Sequence, residues 1–320
     1  MNLVFCGTPT FAVPTLEKLV DAGFRVKLVV TQPDRASGRG MELAASPVKQ
    51  AALELGLPIV QPDKIKSNDE FRVQLEGIAP EAIIVVGYGR IIPQWMLDLP
   101  RLGNINLHAS LLPEYRGAAP IQWAIANGES ITGVTIMRLD AGLDTGDILM
   151  QAEEPIQPDD TALTLGPRLA ETGSELMICA LAGLVNGTIS PQPQDHTQAT
   201  LAPILTREDG LIDFSRTATE TWNRLRGFQP WPGAFTTFRG KSLHLHSAVP
   251  APEVALVKAG HFVVENGRLL LGFAHGTALE IHELQVEGKK RMSARDFING
   301  YRPRSDETVR ARNACERAEE

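Results

Sequence analysis

The sequence has few cysteines and few aromatic residues, and it has no long apolar run. Its three cysteines, Cys6, Cys179 and Cys315, are odd in number and widely spaced, so they match neither a disulfide framework nor a zinc pattern and favour a reducing cytosol. No apolar run approaches the roughly 18 residues that a membrane-spanning helix needs. The first residues, MNLVFCGTP, lack the basic and long apolar regions of a signal peptide. These absences predict a soluble, cytoplasmic protein without a membrane partner.

The chain also lacks the excess of positive charge that is typical of nucleic-acid-binding proteins. Its 31 Lys and Arg against 38 Asp and Glu give a formal net charge of −7. Taken alone, this balance argues against a nucleic-acid partner. It does not exclude one, because a protein that contacts only part of a nucleic acid needs local basic patches rather than a basic whole.

Length and hydrophobic content bound the number of domains. The 320 residues, 43% of them hydrophobic, are long for one core and sufficient for two. Residues 189–204 are rich in Gly, Pro, Gln and Thr, a composition typical of an exposed linker. We therefore predict a first domain over residues 1–188 and a second over residues 205–320, the latter ending in a polar tail.

The first domain opens with a β-α-β pattern. Residues 2–6 and 25–31 are apolar strands, and residues 11–22 between them carry a helical pattern, which favours a parallel sheet. A nicotinamide-binding fold is the obvious alternative, but residues 7–9 are not G-x-G-x-x-G and no acidic residue closes the second strand. The continuous apolar run at residues 81–86 is suited to a strand buried on both faces. The pattern predicts a doubly wound, mostly parallel α/β sheet.

Residues 103–117, GNINLHASLLPEYRG, place polar reactive side chains inside an apolar run. If residues 104–108 form a strand, Asn106 and His108 lie on the same face. An amide can donate a hydrogen bond to a developing oxyanion, and histidine is the side chain best suited to moving protons near neutral pH. From these residues alone, a purely structural role in bonding to a neighbouring loop remains the alternative.

Asp144 is a candidate third member of the site. It lies in residues 138–147, RLDAGLDTGD, where two glycines allow a tight loop after an apolar strand and hold a carboxylate at its tip. Ligands of doubly wound sheets bind outside the carboxyl ends of the strands, so we expect this loop, His108 and the turn at residues 87–90 to converge. A carboxylate placed there could orient His108.

Two motifs of this chain resemble those of the 10-formyltetrahydrofolate-dependent formyltransferases. The first is NINLHASLLPEYRGAAPIQ, and the second, about thirty residues later, is TGVTIMRLDAGLDTGD. By this resemblance Asn106, His108 and Asp144 match the family's catalytic triad residue by residue. FCGTP, TQPDR with SPVK, and GKK with MSA are narrower motifs, and they favour the branch of the family that acts on charged initiator tRNA. The resemblance extends to about Gly300.

The resemblance implies a formyl donor, a nucleic-acid partner and a second domain. The donor is 10-formyltetrahydrofolate, no metal is required, and the expected state is a monomer. The second domain is expected to be OB-like, which agrees with its short strands and the single clear helix over residues 217–227. The implied folate-binding residues are Arg90, Ile92, Ser110, Leu111, Leu112 and Pro113, and the implied tRNA-binding residues are Arg35, Arg39, Lys289 and Lys290.

Some of these assignments have structural alternatives. Residues 32–47 form either a solvated surface loop or, by the resemblance, an insertion that contacts the acceptor arm of tRNA. Residues 289–291, KKR, form either a solvated turn or a site that binds the phosphates of a nucleic acid. His244 and His246 share a strand face as metal ligands do, but no third ligand is nearby in sequence and a structural role is favoured.

The same three reactive residues would serve other reactions of the family. Glycinamide ribonucleotide and amino sugar nucleotides are alternative acceptors, although the long loop at residues 32–47 and the second domain argue against the one-domain relative that uses the former. An alternative of another class is a non-catalytic RNA-binding protein that retains a degenerate α/β domain. The presence of Asn106, His108 and Asp144 argues against it.

Overall fold

The computed structural model describes residues 1–37, 42–251 and 257–309. The chain forms two compact units. The first comprises Met1–Pro120, Ile131–Pro155 and Thr164–Pro203, and the second comprises Ile121–Ser130, Ile156–Leu163 and the described residues from 204 onward. The predicted residues Arg39 and Cys315 lie outside the described residues.

The first unit contains a seven-stranded sheet. Its strands are β1 (Asn2–Gly7), β2 (Arg25–Val30), β5 (Ile59–Val60), β6 (Ala82–Val86), β7 (Asn104–His108), β8 (Ile131–Arg138) and β9 (Ile148–Pro155), and the short strands β3 (Arg35–Ser37) and β4 (Glu42–Ala44) pair separately. The order is β5-β2-β1-β6-β7-β8-β9. The first five strands of this order are parallel, whereas β8 is antiparallel to β7 and β9 to β8. The predicted mostly parallel sheet is confirmed.

The chain crosses the sheet in a way that creates a switch point. From β1 it moves outward to β2 and β5, and it then returns to β6 on the other side of β1. All five residues of β6 are buried, as a central strand with a continuous apolar run requires. Ligands of such sheets bind outside the carboxyl ends of the strands at this reversal. Gly7 and Val86, the last residues of β1 and β6, are paired there.

Six α-helices precede residue 187 in the described part of the chain, and two of them begin at a side-chain cap. They are α1 (Val13–Asp21), α2 (Pro47–Glu54), α3 (Asp69–Ile78), α4 (Gln94–Leu97), α5 (Pro120–Ala126) and α6 (Ala162–Asn186). Ser46 caps α2 by accepting from the Lys49 N–H, and Asn68 caps α3 by accepting from the Phe71 N–H. No described helix is both long and apolar enough to cross a membrane. Burial raises the pKa of the Cys6 thiol in β1, which makes it an inert packing residue.

The second unit is built on an antiparallel sheet. Its elements are α7 (Ala218–Gly227), β10 (Ala234–Phe238), β11 (Lys241–Pro250), β12 (Phe262–Glu265), β13 (Arg268–Gly272), β14 (Ala278–Val286), β15 (Met292–Ser293) and α8 (Ala294–Tyr301). The order is β10-β11-β14-β13-β12, and β15 pairs with β14. Asn266 and Gly267, with φ of 51° and 77°, form the predicted two-residue hairpin between β12 and β13. This sheet agrees with the predicted OB-like domain.

Three local predictions need correction. The loop predicted at residues 32–47 contains the antiparallel β3–β4 pair. This pair was not predicted, because the sequence there lacks the alternating apolar pattern that indicates a strand. Short strands were expected throughout the second domain, but residues 210–214, GLIDF, make only an isolated bridge between Leu211 and Phe235. Helix α8 was missed, although Ser293 caps it by accepting from the Asp296 N–H, because eight residues give a weak periodic signal.

Candidate active site

The alternation predicted for β7 is present, and hydrogen bonding distinguishes the two asparagines that it places on one face. Ile105 and Leu107 are buried on one face, and Asn104, Asn106 and His108 occupy the other. The Asn104 amide donates to the carbonyls of Met96 and Leu97 at 2.9 and 3.1 Å. Asn104 therefore has the structural role that the sequence left open for this strand.

Asn106 has no such engagement. It is 8% exposed, and it stands opposite Val85 of β6 and Met137 of β8 in the strand register. Among the residues that the structure describes, no hydrogen-bond partner is found for its side chain. A nearly buried amide costs free energy when its N–H groups are unpaired, so this position is suited to an acceptor brought by a substrate.

His108 lies between two acceptors. It is 6% exposed, and its Nε2 lies 2.9 Å from the carbonyl oxygen of Tyr115. A carbonyl only accepts, so Nε2 carries a proton in this arrangement. Nδ1 lies 3.7 Å from Oδ2 of Asp144, which is too long for a hydrogen bond and close enough for charge stabilisation. The Nδ1 edge is therefore where a proton can be exchanged.

Asp144 reaches His108 by a route that the sequence did not predict. Its loop follows β8, which is antiparallel to β7, so the loop begins near the opposite end of β7, where the Leu139 N–H donates to the Asn104 carbonyl. The loop must fold back along the strand to bring Asp144 to His108. The loop and His108 therefore meet as expected, although β8 is antiparallel to β7 and the two strands end at opposite edges of the sheet.

Backbone groups of residues 115–117 hold both members of the pair. Tyr115, with φ of 58°, presents its carbonyl to His108, and the Gly117 N–H donates to Oδ2 of Asp144 at 2.9 Å. Gly117 has φ of +124°, and a Cβ there would lie 2.6 Å from the carbonyl oxygen of Ala202. Only glycine fits this position without strain.

Replacing Gly117 by alanine is therefore expected to lower both the melting temperature and kcat. The unusual φ costs on the order of 1–3 kcal/mol for a residue with a Cβ, and the collision with Ala202 moves the N–H away from Asp144. Gly187→Ala is the matched control, since Gly187 has φ of +68° but open space around its Cβ position. A Gly117→Ala variant with the parent's Tm and kcat would contradict this account.

The predicted folate-binding loop after β7 is pinned to β8 and β9. Ser110 Oγ donates to the Glu114 carbonyl at 2.6 Å. The Thr135 hydroxyl donates to the Ser110 carbonyl and accepts from the Leu112 N–H. Leu111 packs against Gly133 so closely that a Cβ there would lie 2.6 Å from it. The loop from Ser110 to the predicted Pro113 is thus preorganised by its neighbours.

The turn after β6 ties three strand ends together. The Tyr88 carbonyl accepts from Thr8 Oγ1 at 3.2 Å and from Gln32 Nε2 at 2.9 Å. The predicted Arg90 side chain donates to the Asp63 carbonyl, and the predicted Ile92 packs against the apolar core. Both side chains are engaged within the protein, which leaves the backbone of the turn as the part that can contact a ligand. Their folate-binding role stays a prediction.

The loop at residues 32–47 is anchored at both ends. The Thr31 and Ser46 hydroxyls are 2.8 Å apart, and Lys49 Nζ lies 2.5 Å from Oδ2 of Asp34. Hydrogen bonds from Lys49 and then Gln61 hold the pKa of Asp34 below its usual value. The backbone of Arg35, a predicted tRNA contact, begins β3 in this loop.

The remaining predicted residues belong to the second unit. Lys289 and Lys290 are exposed in the turn after β14, and Arg291 beside them pairs with Glu283. His244 lies 5.3 Å from the Phe235 ring, and burial is the main cause that lowers its pKa, while His246 bonds to Gln285. Within residues 1–37, 42–251 and 257–309, no cluster of three or more His, Cys, Asp or Glu could hold a metal.

Sequence reasoning missed three residues that contact the pair or its loops, namely Arg116, Gly117 and Gln194. Arg116 and Gln194 are both buried and bonded to each other at 2.5 Å. The RG dipeptide after a turn was a usable signal for a strained backbone. No sequence signal pointed to Gln194, because it lies in a segment whose composition is that of an exposed linker.

Comparison with known proteins places this chain among the formyl transferases. The family model described as formyl transferase matches residues 1–181, and the model described as formyl transferase, C-terminal domain, matches residues 204–302. A protein of Koribacter versatilis named methionyl-tRNA formyltransferase is 66% identical over 95% of this chain and 97% of its own.

Two solved structures share the fold. WlaRD, a sugar 3N-formyl transferase solved in the presence of dTDP and 5-N-formyl-THF, has a TM-score of 0.66 at 19% identity and covers 91% of this chain and 99% of its own. HypX from Aquifex aeolicus, in complex with tetrahydrofolic acid, has a TM-score of 0.62 at 19% identity and covers 93% of this chain but 47% of its own. The family models and the curated relative together show that this chain belongs to the formyl transferase family.

Proposed function

We propose that this chain transfers the formyl group of 10-formyltetrahydrofolate to the α-amino group of methionine on initiator tRNA, which yields N-formylmethionyl-tRNA for translation initiation. The observation that carries the proposal is the 66% identity, over nearly the whole length of both chains, to a relative that bears this name. In this proposal the protein acts in the cytoplasm as a monomer and uses no metal.

The first chemical requirement is stabilisation of an oxyanion. Formyl transfer between two amines passes through a tetrahedral carbon whose oxygen carries negative charge. The Asn106 amide, which has no side-chain hydrogen bond among the described residues, can donate to this oxygen. A single well-placed donor of this kind lowers a barrier by about 3 kcal/mol.

The second requirement is proton transfer. The attacking amine must lose a proton, and the leaving nitrogen must gain one. His108 can perform both steps through Nδ1, since Nε2 is held by the Tyr115 carbonyl. Asp144 Oδ2, 3.7 Å from Nδ1, stabilises the imidazolium that exists between the two transfers. An α-amine with a pKa near 8 is already partly neutral at physiological pH, so no stronger base is needed.

The folate is a substrate in this scheme, and the residues around the strand ends fit it. The loop from Ser110 to Pro113 is fixed by Thr135, and the turn at residues 87–90 keeps its backbone close to the β1–β6 switch point. We propose that these two backbone segments shape the folate pocket next to Asn106. Arg90 and Ile92 would then support the turn from within rather than reach the ligand with their side chains.

The identity of the molecule that receives the formyl group distinguishes this function from the alternative functions. Purified protein would be incubated with 10-formyltetrahydrofolate and, separately, methionyl initiator tRNA, methionyl elongator tRNA, a dTDP-linked amino sugar and glycinamide ribonucleotide. We expect formylation of the initiator tRNA with a kcat/KM far above that of the other acceptors. Preferential formylation of the amino sugar would overturn the proposal, and binding of tRNA without any turnover would favour a non-catalytic RNA-binding protein.

The proposed tRNA contacts are Arg35, Arg39, Lys289 and Lys290. The chain as a whole is acidic, with a net charge of −7, so binding must depend on local positive groups such as the exposed Lys289–Lys290 turn. In the described residues neither lysine has an ion-pair partner, which leaves both free for phosphate.

Replacing Lys289 and Lys290 together by alanine is expected to weaken kcat/KM for charged tRNA and leave folate affinity unchanged. Because counterions are released wherever a lysine neutralises a phosphate, the slope of log kcat/KM against log salt should become shallower by about one for each lysine–phosphate pair that the substitution removes. Lys27→Ala, which removes an exposed lysine of β2, serves as the charge control. An unchanged slope would show that the Lys289–Lys290 turn does not contact the phosphates of the tRNA.

A further inference from the structure

Part of the segment expected to be an exposed linker is bound to the catalytic loops. We call residues 192–202 the strap. Its backbone pairs with β9, since Gln192 and Ile148 exchange two hydrogen bonds of 2.8 Å. It also pairs with Arg116, which donates to the Thr200 carbonyl at 2.9 Å and accepts from the Ala202 N–H at 2.7 Å. The strap thus touches the loop on each side of the His108–Asp144 pair.

The centre of the strap is Gln194, which is 7% exposed. Its Nε2 donates to the Asp144 carbonyl at 2.9 Å and to the Gly146 carbonyl at 2.7 Å. Its Oε1 accepts from Arg116 at 2.5 Å from Nη2 and 3.2 Å from Nε. Both donors and both acceptor positions of this buried amide are therefore in use.

The two loops that Gln194 joins are the ones that fix the proton-transfer pair. Arg116 lies between Tyr115, whose carbonyl holds His108, and Gly117, whose N–H holds the Asp144 carboxylate. On the other side, the two carbonyls that Gln194 binds belong to the Asp144 loop itself. One amide therefore bonds both to the side chain of Arg116 and to the backbone that carries Asp144, in addition to the direct bond from Gly117 to the carboxylate.

Inside the Asp144 loop, the Asp140 carboxylate accepts from the Gly142 N–H and the Thr145 hydroxyl, but neither bond involves Asp144. Asp144 has φ of 52°, a left-handed conformation that is unfavourable for a residue with a Cβ. Ala141, Gly142 and Leu143 before it are exposed, so apolar packing contributes little to holding the loop. A hydrogen bond to the carbonyl of Asp144 fixes the peptide from which the carboxylate projects.

We propose that Gln194 is a positioning residue, which holds the Asp144 carboxylate at His108 through its two hydrogen bonds to the Asp144 loop. The proposal rests on the proposed function for its kinetic consequence, but the geometry of the pair can be tested without turnover. The rival role is purely structural: Gln194 would serve only to give Arg116 an acceptor.

Gln194→Glu separates the two roles, because it keeps an oxygen acceptor for Arg116 and removes both donors. If Gln194 positions Asp144, kcat for formylation should fall by about 10- to 100-fold, since a displacement near 1 Å costs up to about that factor. KM for folate and for charged tRNA should stay within about twofold. A structural role through Arg116 predicts a kcat close to that of the parent, and that result would overturn the proposal.

The matched control is Gln192→Glu, the same change of charge two residues earlier on the strap. The Gln192 side chain is exposed and bonds only to the Ser190 carbonyl among the described groups. We expect its kcat and Tm to equal those of the parent. If Gln194→Glu proves too unstable to assay, Gln194→Asn keeps both kinds of group on a shorter stem, and its kcat should fall by a smaller factor; full activity of this variant would count against positioning.

A crystal structure of Gln194→Glu tests the geometry independently of any acceptor. If Gln194 positions Asp144, the distance from Nδ1 of His108 to Oδ2 of Asp144 should exceed the 3.7 Å of the parent, whereas Gln192→Glu should keep it. An unchanged distance in Gln194→Glu would overturn the proposal. A parent that formylates no tRNA would instead defeat the proposed function, while the crystal structure still decides the role of Gln194.

Discussion

Replacing Asn106 by aspartate is expected to reduce kcat for formyl transfer by at least about a thousandfold. Loss of one oxyanion donor alone costs about 10²–10³, and here a carboxylate would also face the negative oxygen that the amide stabilises. The two side chains have nearly the same shape, so packing around β7 should be preserved. KM for the tRNA should change little, because the lost interaction exists mainly in the transition state.

Asn104→Asp is the matched control on the same strand face. Asn104 donates to the carbonyls of Met96 and Leu97, and aspartate there would turn two hydrogen bonds into repulsion at a buried site. We expect its free energy of unfolding to fall by about 2 kcal/mol or more, with kcat retained in the folded fraction. Measuring Tm and kcat for both variants should give opposite patterns. Loss of stability in Asn106→Asp with normal kcat would assign Asn106 the structural role instead.

The features that the sequence predicted correctly are those that depend on neighbours along the chain. The period of two in β7 placed Asn106 and His108 on one face, and continuous apolar runs marked β1 and β6 as buried strands. The two-residue turn at Asn266 and Gly267 followed from local backbone preference. Each of these signals is contained in fewer than ten residues.

The features that the sequence did not predict depend on residues far apart. The direction of β8 against β7, and with it the return path of the Asp144 loop, is fixed by pairing across the sheet. Gln194 approaches Asp144 across 50 residues of chain, inside a segment whose composition is that of a linker. The carbonyl of Tyr115 is a backbone group that every residue has, so its hydrogen bond to His108 could not be predicted from the residue type. The roles of Asn106, His108 and Asp144 remain proposals that the kinetic experiments test.

Hydrogen bonding around His108 divides its two nitrogens between a fixed role and a working one. Nε2 is held by a backbone carbonyl, which keeps the ring in one orientation and one tautomer when neutral. Nδ1 faces the Asp144 carboxylate across 3.7 Å, a gap that allows the ring to accept a proton with a counter-charge already present. This arrangement favours a proton carrier over a mere hydrogen-bond donor, and it leads to the strongest test of the site.

His108→Asn is expected to lower kcat by about 10²–10⁴, the range typical of losing general acid–base catalysis. Asparagine cannot gain or lose a proton at any working pH, so the residual rate should lose the pH dependence that the imidazole contributes and should follow only the α-amine, whose pKa lies near 8. The measurement is kcat from about pH 5.5 to 9 with saturating folate and charged tRNA. His282→Asn removes an exposed histidine of β14 and should leave the parent profile unchanged. If His108→Asn kept more than about a tenth of the parent kcat with the same pH profile, the proton would have to move through another group.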